Sequence, residues 1–276
     1  MTARRQNDIL RQRDIVEELM KMTLITPDLA GMPEDIAALC RGARVYDSSC
    51  SPEARVMCVE RGRGYFIKCS AKGSLKKEAI MGEYFHSKGL TAPVLSYVSA
   101  DRDWLVTERV SGEDATAAKY LDDPKRLAVT SGEILRGLHE TECSDCPVTD
   151  RLISYFALAE ENYTKGAYDL TFGDFASADE AYAVLKEGRV SLKNDTLIHG
   201  DYCLPNFLMN DWRFSGFIDL GNGGVGDRHI DLFWGAWTLN FNLGTDRYRN
   251  VFFDAYGRDR VEEDIIRVIS AAEIFG

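Results

Sequence analysis

Two short polar runs constrain this chain more than any other feature of its sequence. The first, His199-Gly-Asp201-Tyr-Cys-Leu-Pro-Asn206, places an Asp five residues before an Asn. The second, Phe217-Ile-Asp219-Leu-Gly221, places another Asp behind two apolar residues. Phosphoryl transfer from ATP needs such a set, because one carboxylate orients the acceptor hydroxyl while a carboxamide and a second carboxylate hold Mg²⁺ against the triphosphate. Either run alone could be a solvated loop, but the two in succession predict a kinase of a small molecule.

The composition limits the partners that this chain can have. Its 276 residues are 45% hydrophobic and carry a formal net charge of −11. Nucleic-acid binding requires basic surface, so the charge argues against it, whereas an acidic cleft would attract a polycationic substrate. No apolar run is long enough to span a bilayer and no signal peptide is recognised, so we expect a cytoplasmic protein without membrane contact. The seven cysteines form no disulfide or zinc pattern and are expected to be free thiols.

The distribution of apolar residues divides the chain into three parts. Residues 1–21 are heavily charged with apolar residues at a helical period, which predicts an N-terminal helical extension. Residues 22–110 read as short strands with turns and one helix, from Leu75 to Lys88. Residues 111–276 are mostly helical by periodicity, so the fold class is α+β. The helices predicted there are Pro124 to Glu140, Asp150 to Lys165, Ser177 to Gly188, His229 to Asn240, Asp246 to Tyr256 and Arg260 to Ile274.

One predicted strand, from Tyr65 to Cys69, carries residues suited to a nucleotide. Side chains alternate between the two faces of a strand, so Phe66 and Lys68 share one face. That face offers an aromatic plane and an ammonium, which suit adenine and phosphate respectively.

The polar runs closely resemble those of the aminoglycoside 3'-phosphotransferases, bacterial resistance enzymes. The resemblance rests on His-Gly-Asp-x-Cys-x-Pro-Asn, on Gly216-Phe-Ile-Asp-Leu-Gly221 and on Gly226-Asp-Arg-x-x-Asp231, and it extends from about Met22 to the C-terminus. His-x-Asp-x-x-x-x-Asn is also the catalytic-loop spacing of protein kinases. The resemblance implies a two-lobed protein-kinase-like fold. Residues 22–110 would form a nucleotide-binding N-lobe with an antiparallel sheet, and residues 111–276 a mostly helical lobe for catalysis and acceptor binding.

The resemblance also implies a role for each polar residue. Asp201 would be the catalytic base and contact the acceptor, and Asn206 and Asp219 would be Mg²⁺ ligands. Lys68 would bridge the α- and β-phosphates of ATP, with GTP as a second donor, and would be held by Glu78, with Glu83 as the alternative. The other positions assigned to the nucleotide are Ser51 in the phosphate loop, Phe66 against adenine, Thr107 as gatekeeper, and the backbone of Glu108 and Val110.

Buried structural roles are expected for four further residues of the C-lobe. His139 and His199 are predicted to be core histidines. Asp231 matches the family position that hydrogen-bonds the catalytic-loop backbone, and Asp227 is predicted to cap the helix that begins at His229.

The acceptor side matches the family less closely. Glu273 and Phe275 match the C-terminal residues that contact the antibiotic, but Ala272 stands where an Asp is found and Asn222 where many members carry an Arg that pairs with the catalytic aspartate. The other acidic candidates for substrate contact are Asp169, Asp174, Glu160 and Glu161.

Three functions therefore compete. The first is an ATP- and Mg²⁺-dependent kinase of an aminoglycoside hydroxyl, most simply the 3'-hydroxyl, acting as a monomer or weak homodimer. The second is a kinase of another hydroxylated cation, such as a capreomycin- or viomycin-type cyclic peptide or an amino alcohol. The third is a catalytically weak kinase-like binding protein, which the presence of Lys68, Glu78, Asp201, Asn206 and Asp219 together disfavours.

Overall fold

A computed structural model describes residues 22–276 and divides them into two compact units. The first unit comprises residues 22–112 and Leu208–Gly221, and the second comprises Glu113–Phe207 and Asn222–Gly276. Leu208–Gly221 thus lies in the first unit, although its position in the sequence suggested the C-lobe. The helix predicted over residues 1–21 lies outside the described residues. The α+β class is confirmed.

The first unit is built on a six-stranded antiparallel sheet. Its strand order is β1-β2-β3-β4-β6-β5, so the strand that carries Lys68 lies inside the sheet. The strands are β1 (Thr23–Ile25), β2 (Arg44–Asp47), β3 (Ala54–Glu60), β4 (Tyr65–Ala71), β5 (Val94–Ser99) and β6 (Arg102–Glu108). The unit also contains helices α1 (Glu34–Cys40) and α2 (Lys76–Ser87), strand β10 (Arg213–Phe217), and the neighbouring strand β9 (Phe207–Asn210) except for its first residue.

The alternation predicted for β4 is confirmed by its burial. Ile67 and Cys69 are buried in a core cluster with residues of β2, β3 and β6, whereas Phe66 and Lys68 on the other face are half-buried. Helix α1, which was not predicted, contributes Ile36 and Cys40 to this cluster. This helix begins with Glu34 and Asp35 directly after Pro33, which is a recognisable start signal.

The second unit is mostly helical, as predicted. Its helices are α3 (Ala118–Leu121), α4 (Pro124–His139), α5 (Arg151–Lys165), α6 (Ala178–Gly188), α7 (His229–Leu243), α8 (Arg249–Tyr256) and α9 (Glu263–Glu273). Strand β7 (Glu113–Asp114) opens the unit, and β8 (Thr196–Ile198) pairs with β11 (Gly224–Gly226). The last two predicted helices each begin three residues late, because Asp246–Tyr248 forms a 3-10 turn and because Val261 and Glu262, which follow the 3-10 turn Arg258–Arg260, are extended.

One further expectation is met by the described residues. All seven cysteines are free thiols. Within residues 22–276, no helix is both long enough and apolar enough to cross a membrane.

Candidate active site

A strand lysine, a helix glutamate and an aspartate lie together in the first unit. Lys68 Nζ donates to Glu78 Oε2 at 2.8 Å, to Glu78 Oε1 at 3.1 Å and to Asp219 Oδ1 at 2.7 Å. The side chains of Lys68 and Glu78 are 20% and 14% exposed, whereas that of Asp219 is 51% exposed. The structure thus places Glu78 against the lysine, while the alternative, Glu83, is exposed.

The charges of this cluster fix the lysine as a cation. Burial alone would lower the pKa of Lys68, but the carboxylates of Asp219 and Glu78 outweigh burial and raise that pKa, so the side chain is an ammonium at neutral pH. Burial raises the pKa of Glu78, and the Lys68 ammonium opposes that rise. Asp219, the most exposed of the three, is therefore the carboxylate that can most readily accept another cation.

Buried Asp103, which the sequence analysis did not single out, holds the start of the helix that carries Glu78. Its Oδ2 accepts hydrogen bonds from the Leu75 N–H at 3.0 Å and from the Tyr97 hydroxyl at 2.9 Å, and the Ser99 hydroxyl donates to its Oδ1 at 2.7 Å. Burial opposes ionisation, but these bonds and one from the Gly73 N–H lower the pKa of Asp103 to about 2. The sequence signal for this role of Asp103 was its position directly before the buried apolar residues of β6.

The backbone at Asp219 adopts an unusual conformation. Its φ of 59° lies in the left-handed region, which costs a non-glycine residue on the order of 1 kcal/mol. The strand before it is fixed, because the Phe217 N–H donates to Leu90 O at 2.9 Å and Phe217 O accepts from the Thr91 hydroxyl at 2.6 Å. This turn follows β10 and places the Asp219 carboxylate within hydrogen-bond distance of Lys68.

The other predicted nucleotide residues also lie in the first unit. Thr107 and Glu108 are half-buried at the end of β6, and Val110 is buried just beyond it. The Glu108 N–H donates to Pro93 O at 3.0 Å. Ser51 is exposed in the turn between β2 and β3, where the neighbouring Ser49 hydroxyl accepts from the Val56 N–H at 2.9 Å and holds the turn.

The second unit contains the first polar run. Asn206 Nδ2 donates to the Asp201 carbonyl and to Asp201 Oδ2, both at 2.9 Å, so the amide holds both the turn and the carboxylate. The loop that joins them ends in a short 3-10 turn, Leu204–Asn206. Asp201 and Asn206 are both half-buried.

Asp231 accepts hydrogen bonds from the backbone of this loop, as the sequence predicted. Its Oδ2 and Oδ1 accept from the His199 and Gly200 N–H groups, each at 2.7 Å. His139 Nε2 lies 3.1 Å from the same carboxylate, and Tyr256 OH lies 2.8 Å from His139 Nδ1. The side chain of His139 is fully buried and burial lowers its pKa, so the prediction of a core histidine is confirmed. His199 is likewise buried.

Asp227 lies one position further from the α7 helix than expected. Arg228 is the residue at the N-cap, but Asp227 Oδ1 still accepts from the His229 N–H at 2.8 Å. Its Oδ2 accepts from the Lys193 N–H at 2.7 Å. The aspartate therefore both starts the helix and ties it to the chain before β8.

The C-terminal acceptor candidates are buried in the second unit. Glu273 is only 6% exposed, and its Oε1 accepts from Tyr155 OH at 2.7 Å and from Trp234 Nε1 at 3.1 Å. Burial raises the pKa of Glu273 to about 7, and the charge of Asp201 adds to the rise, which indicates that the two carboxyls are near each other. The sequence analysis missed Tyr155 and Trp234. Phe275 is buried with its ring edge-on to Tyr163, at a centroid distance of 5.6 Å.

The remaining acidic candidates lie at the surface of the same unit. Asp169 Oδ1 accepts from the Thr171 N–H at 2.8 Å and begins a 3-10 turn, and Glu161 pairs with Lys165. Asp174 and Glu160 are exposed. Their part in binding an acceptor stays a prediction.

The sequence of the chain is similar to those of known proteins. A profile described as the phosphotransferase enzyme family matches residues 54–265. A "Probable aminoglycoside 3'-phosphotransferase" of Lactococcus lactis subsp. lactis is 45% identical over 248 residues, which cover 88% of this chain and 95% of that protein. An aminoglycoside 3'-phosphotransferase of Streptomyces fradiae is 33% identical over 203 residues, covering 69% and 75%.

Two solved structures show a similar fold. The crystal structure of an aminoglycoside-3'-phosphotransferase of type VIII superposes with a TM-score of 0.71 at 22% identity, covering 99% of each chain. An aminoglycoside phosphotransferase from Streptomyces rimosus, in complex with ADP and streptomycin, superposes with a TM-score of 0.65 at 24% identity, covering 80% of this chain and 90% of that one.

Proposed function

Because the chain belongs to the phosphotransferase enzyme family, we propose that it transfers the γ-phosphate of ATP to the 3'-hydroxyl of an aminoglycoside. The curated relatives described above are named as aminoglycoside 3'-phosphotransferases. The observation that carries the proposal is the Lys68 ammonium fixed between Glu78 and Asp219, accompanied in the second unit by the Asp201–Asn206 pair. These groups supply a phosphate ligand, oxygens for a cation and a carboxylate for the hydroxyl.

Lys68 would bind the α- and β-phosphates of the nucleotide. Its ammonium is already oriented by Glu78, so little conformational entropy is lost when phosphate oxygens replace Asp219 as its partner. Phe66, on the same face of β4, would lie against adenine, with backbone groups of Glu108 and Val110 at its edge. Ser51 would reach the β-phosphate from the turn between β2 and β3.

Asn206 and Asp219 would hold Mg²⁺, and their donor atoms fit that ion. The Asn206 amide nitrogen is engaged by Asp201, which leaves the amide oxygen for a cation, and the Asp219 carboxylate is half-exposed. Oxygen donors from one carboxylate and one amide suit a cation that keeps several waters and also binds phosphate. When bound, Mg²⁺ would neutralise charge on the transferred phosphoryl group.

Asp201 would orient the acceptor hydroxyl and take its proton. The Asn206 amide donates to Asp201 Oδ2 and so fixes the direction of the carboxylate that would accept the proton of the hydroxyl. The backbone bonds from His199 and Gly200 to Asp231 keep the loop from shifting. Such fixed placement of the acceptor accounts for much of the catalysis in this class of reaction.

A coupled ADP-release assay across aminoglycosides and cationic cyclic peptides tests the proposal. We expect turnover with aminoglycosides that carry a 3'-hydroxyl, dependence on Mg²⁺, and only background ATP hydrolysis with the peptides. If ATP binds but no aminoglycoside is phosphorylated, the substrate half of the proposal is wrong. Turnover with a cyclic peptide would then favour the alternative cationic substrate.

A further inference from the structure

A buried arginine in the second unit contacts the backbone beside the catalytic loop. We propose that Arg151 is a positioning residue that acts through Asn222 on Gly200 and so fixes the direction of Asp201. This inference rests on the proposed phosphotransferase function. Arg151 is the first residue of α5, and its partner Asn222 lies 71 residues further along the chain. No local sequence pattern therefore predicts the contact.

The guanidinium of Arg151 is buried without a carboxylate beside it. Arg151 is 8% exposed and is the one lysine or arginine among the described residues that is buried. Its Nε donates to Asn222 O at 2.8 Å and its Nη2 lies 3.5 Å from Asn222 Oδ1, while no ion pair of Arg151 is formed within residues 22–276. Burying a charged group whose hydrogen-bond partner is a neutral carbonyl lowers the free energy of unfolding. The contact is therefore maintained for something other than stability.

The Asn222 carbonyl is packed directly against the catalytic loop. A Cβ placed on Gly200 would lie 2.1 Å from Asn222 O and 2.9 Å from Asn222 Cβ, so this backbone has no room to move towards the loop. Gly200 has a φ of 81°, and it directly precedes Asp201. Its N–H donates to Asp231 Oδ1 at 2.7 Å. Gly200 is therefore fixed by Asp231 and packed against the carbonyl that Arg151 holds.

The same face of α5 reaches the buried glutamate near the loop. Tyr155, one turn after Arg151, has its ring 5.3 Å from the guanidinium carbon and donates its hydroxyl to Glu273. The negative charges of Glu273 and Asp231 act on Arg151 from beyond contact distance and partly offset the burial that lowers its pKa. The stacked Tyr155 ring and the Asn222 carbonyl thus fix the position of the guanidinium. A guanidinium fixed in this way can hold the neighbouring loop in place.

The consequence concerns turnover rather than nucleotide affinity. The nucleotide candidates belong to the first unit and Arg151 to the second, so its loss should spare ATP binding. Displacing Gly200 by a fraction of an ångström would misdirect Asp201, and misplacement of a reacting group by about 1 Å can reduce the rate about 10²-fold.

Two variants, Arg151→Met and Arg151→Lys, test the inference. Each is compared with wild type in steady-state kinetics and in hydrogen exchange of peptides spanning residues 197–207. Arg151→Met should lower kcat about 10- to 100-fold while KM for ATP changes less than about twofold. Its peptides should exchange faster, because the Gly200 N–H is less firmly held. Arg151→Lys keeps a donor for the carbonyl and should recover a large part of both properties.

Arg249→Met is the matched control. Arg249 also stacks on a ring, that of Phe253 at 4.5 Å, and lies in the same unit, so its loss should reduce stability without altering kcat or exchange in residues 197–207. Wild-type kcat and exchange in folded Arg151→Met would overturn the inference, as would equal losses in Arg151→Met and Arg249→Met. The exchange readout needs no substrate, so it decides the positioning role even if the acceptor is not an aminoglycoside.

Discussion

Glu273→Gln is a substitution that removes a buried charge and leaves its hydrogen bonds in place. Both donors, Tyr155 OH and Trp234 Nε1, bind the same oxygen, and a glutamine amide oxygen can accept both. Burial raises the pKa of Glu273 from 4.5 to about 7. Wild-type protein above neutral pH therefore carries a buried carboxylate that the variant lacks.

The sign of the effect follows from which state binds the proton more tightly. The folded pKa exceeds the unfolded one, so the folded state holds the proton between these values and stability falls as pH rises through them. The pKa rises from 4.5 to about 7, and at about 1.4 kcal/mol per unit the wild type loses about 3 kcal/mol between pH 4 and pH 8 through this group. Glutamine does not titrate, so the variant escapes that loss.

Urea denaturation of wild type and Glu273→Gln at pH 4.5, 6 and 8 measures the difference directly. Other titrating groups are common to both proteins and cancel in the comparison. We expect the unfolding free energy of the variant to rise by about 3 kcal/mol relative to that of wild type across this pH range, with most of the change between pH 5 and 7. A difference in unfolding free energy that does not change with pH would refute the buried, charged state of Glu273.

Three further substitutions test the candidate site. Asp201→Asn should reduce kcat by about 10²–10⁴ while ATP binding persists, because hydroxyl orientation and proton acceptance belong to the transfer step, and near-wild-type turnover would contradict this role. Asp219→Ala should abolish Mg²⁺-dependent ATP binding in calorimetry, with a smaller effect in Asn206→Ala; an unchanged titration in Asp219→Ala would exclude it as a metal ligand. Asp103→Asn should lower the unfolding free energy by about 1–3 kcal/mol and raise KM for ATP, because it loosens the start of α2, whereas exposed Asp101→Asn should not. The pKa of Asp103 is lowered from 3.8 to about 2, so the advantage of wild type should hold above pH 4 and shrink as pH falls towards 2.

The sequence predicted the parts of the site that depend on local spacing. The two polar runs identified Asp201, Asn206 and Asp219, and strand alternation brought Phe66 and Lys68 to one face. The core role of His139 also followed, because a histidine at the end of a leucine-rich helix is commonly buried. Each of these inferences uses residues that are close in the chain, where backbone geometry fixes which side chains meet.

Contacts between distant segments could not be predicted in the same way. Arg151 and Asn222 are separated by 71 residues, and Tyr155 and Glu273 by 118. Gly82 is another example, since a glycine weakens an isolated helix, yet a Cβ there would lie 2.7 Å from Val94 Cγ2. The glycine therefore permits close packing of α2 against β5, and only the folded structure shows that need.

The product of the reaction tests the central claim most directly. Kanamycin and a 3'-deoxy aminoglycoside would each be incubated with the protein, ATP and Mg²⁺, and the products examined by mass spectrometry and by phosphorus–proton correlation NMR. We expect one added phosphoryl group on kanamycin, coupled to the proton at position 3', and no product from the 3'-deoxy compound. Phosphorylation of the 3'-deoxy compound, or a phosphate coupled to a different proton of kanamycin, would contradict this expectation.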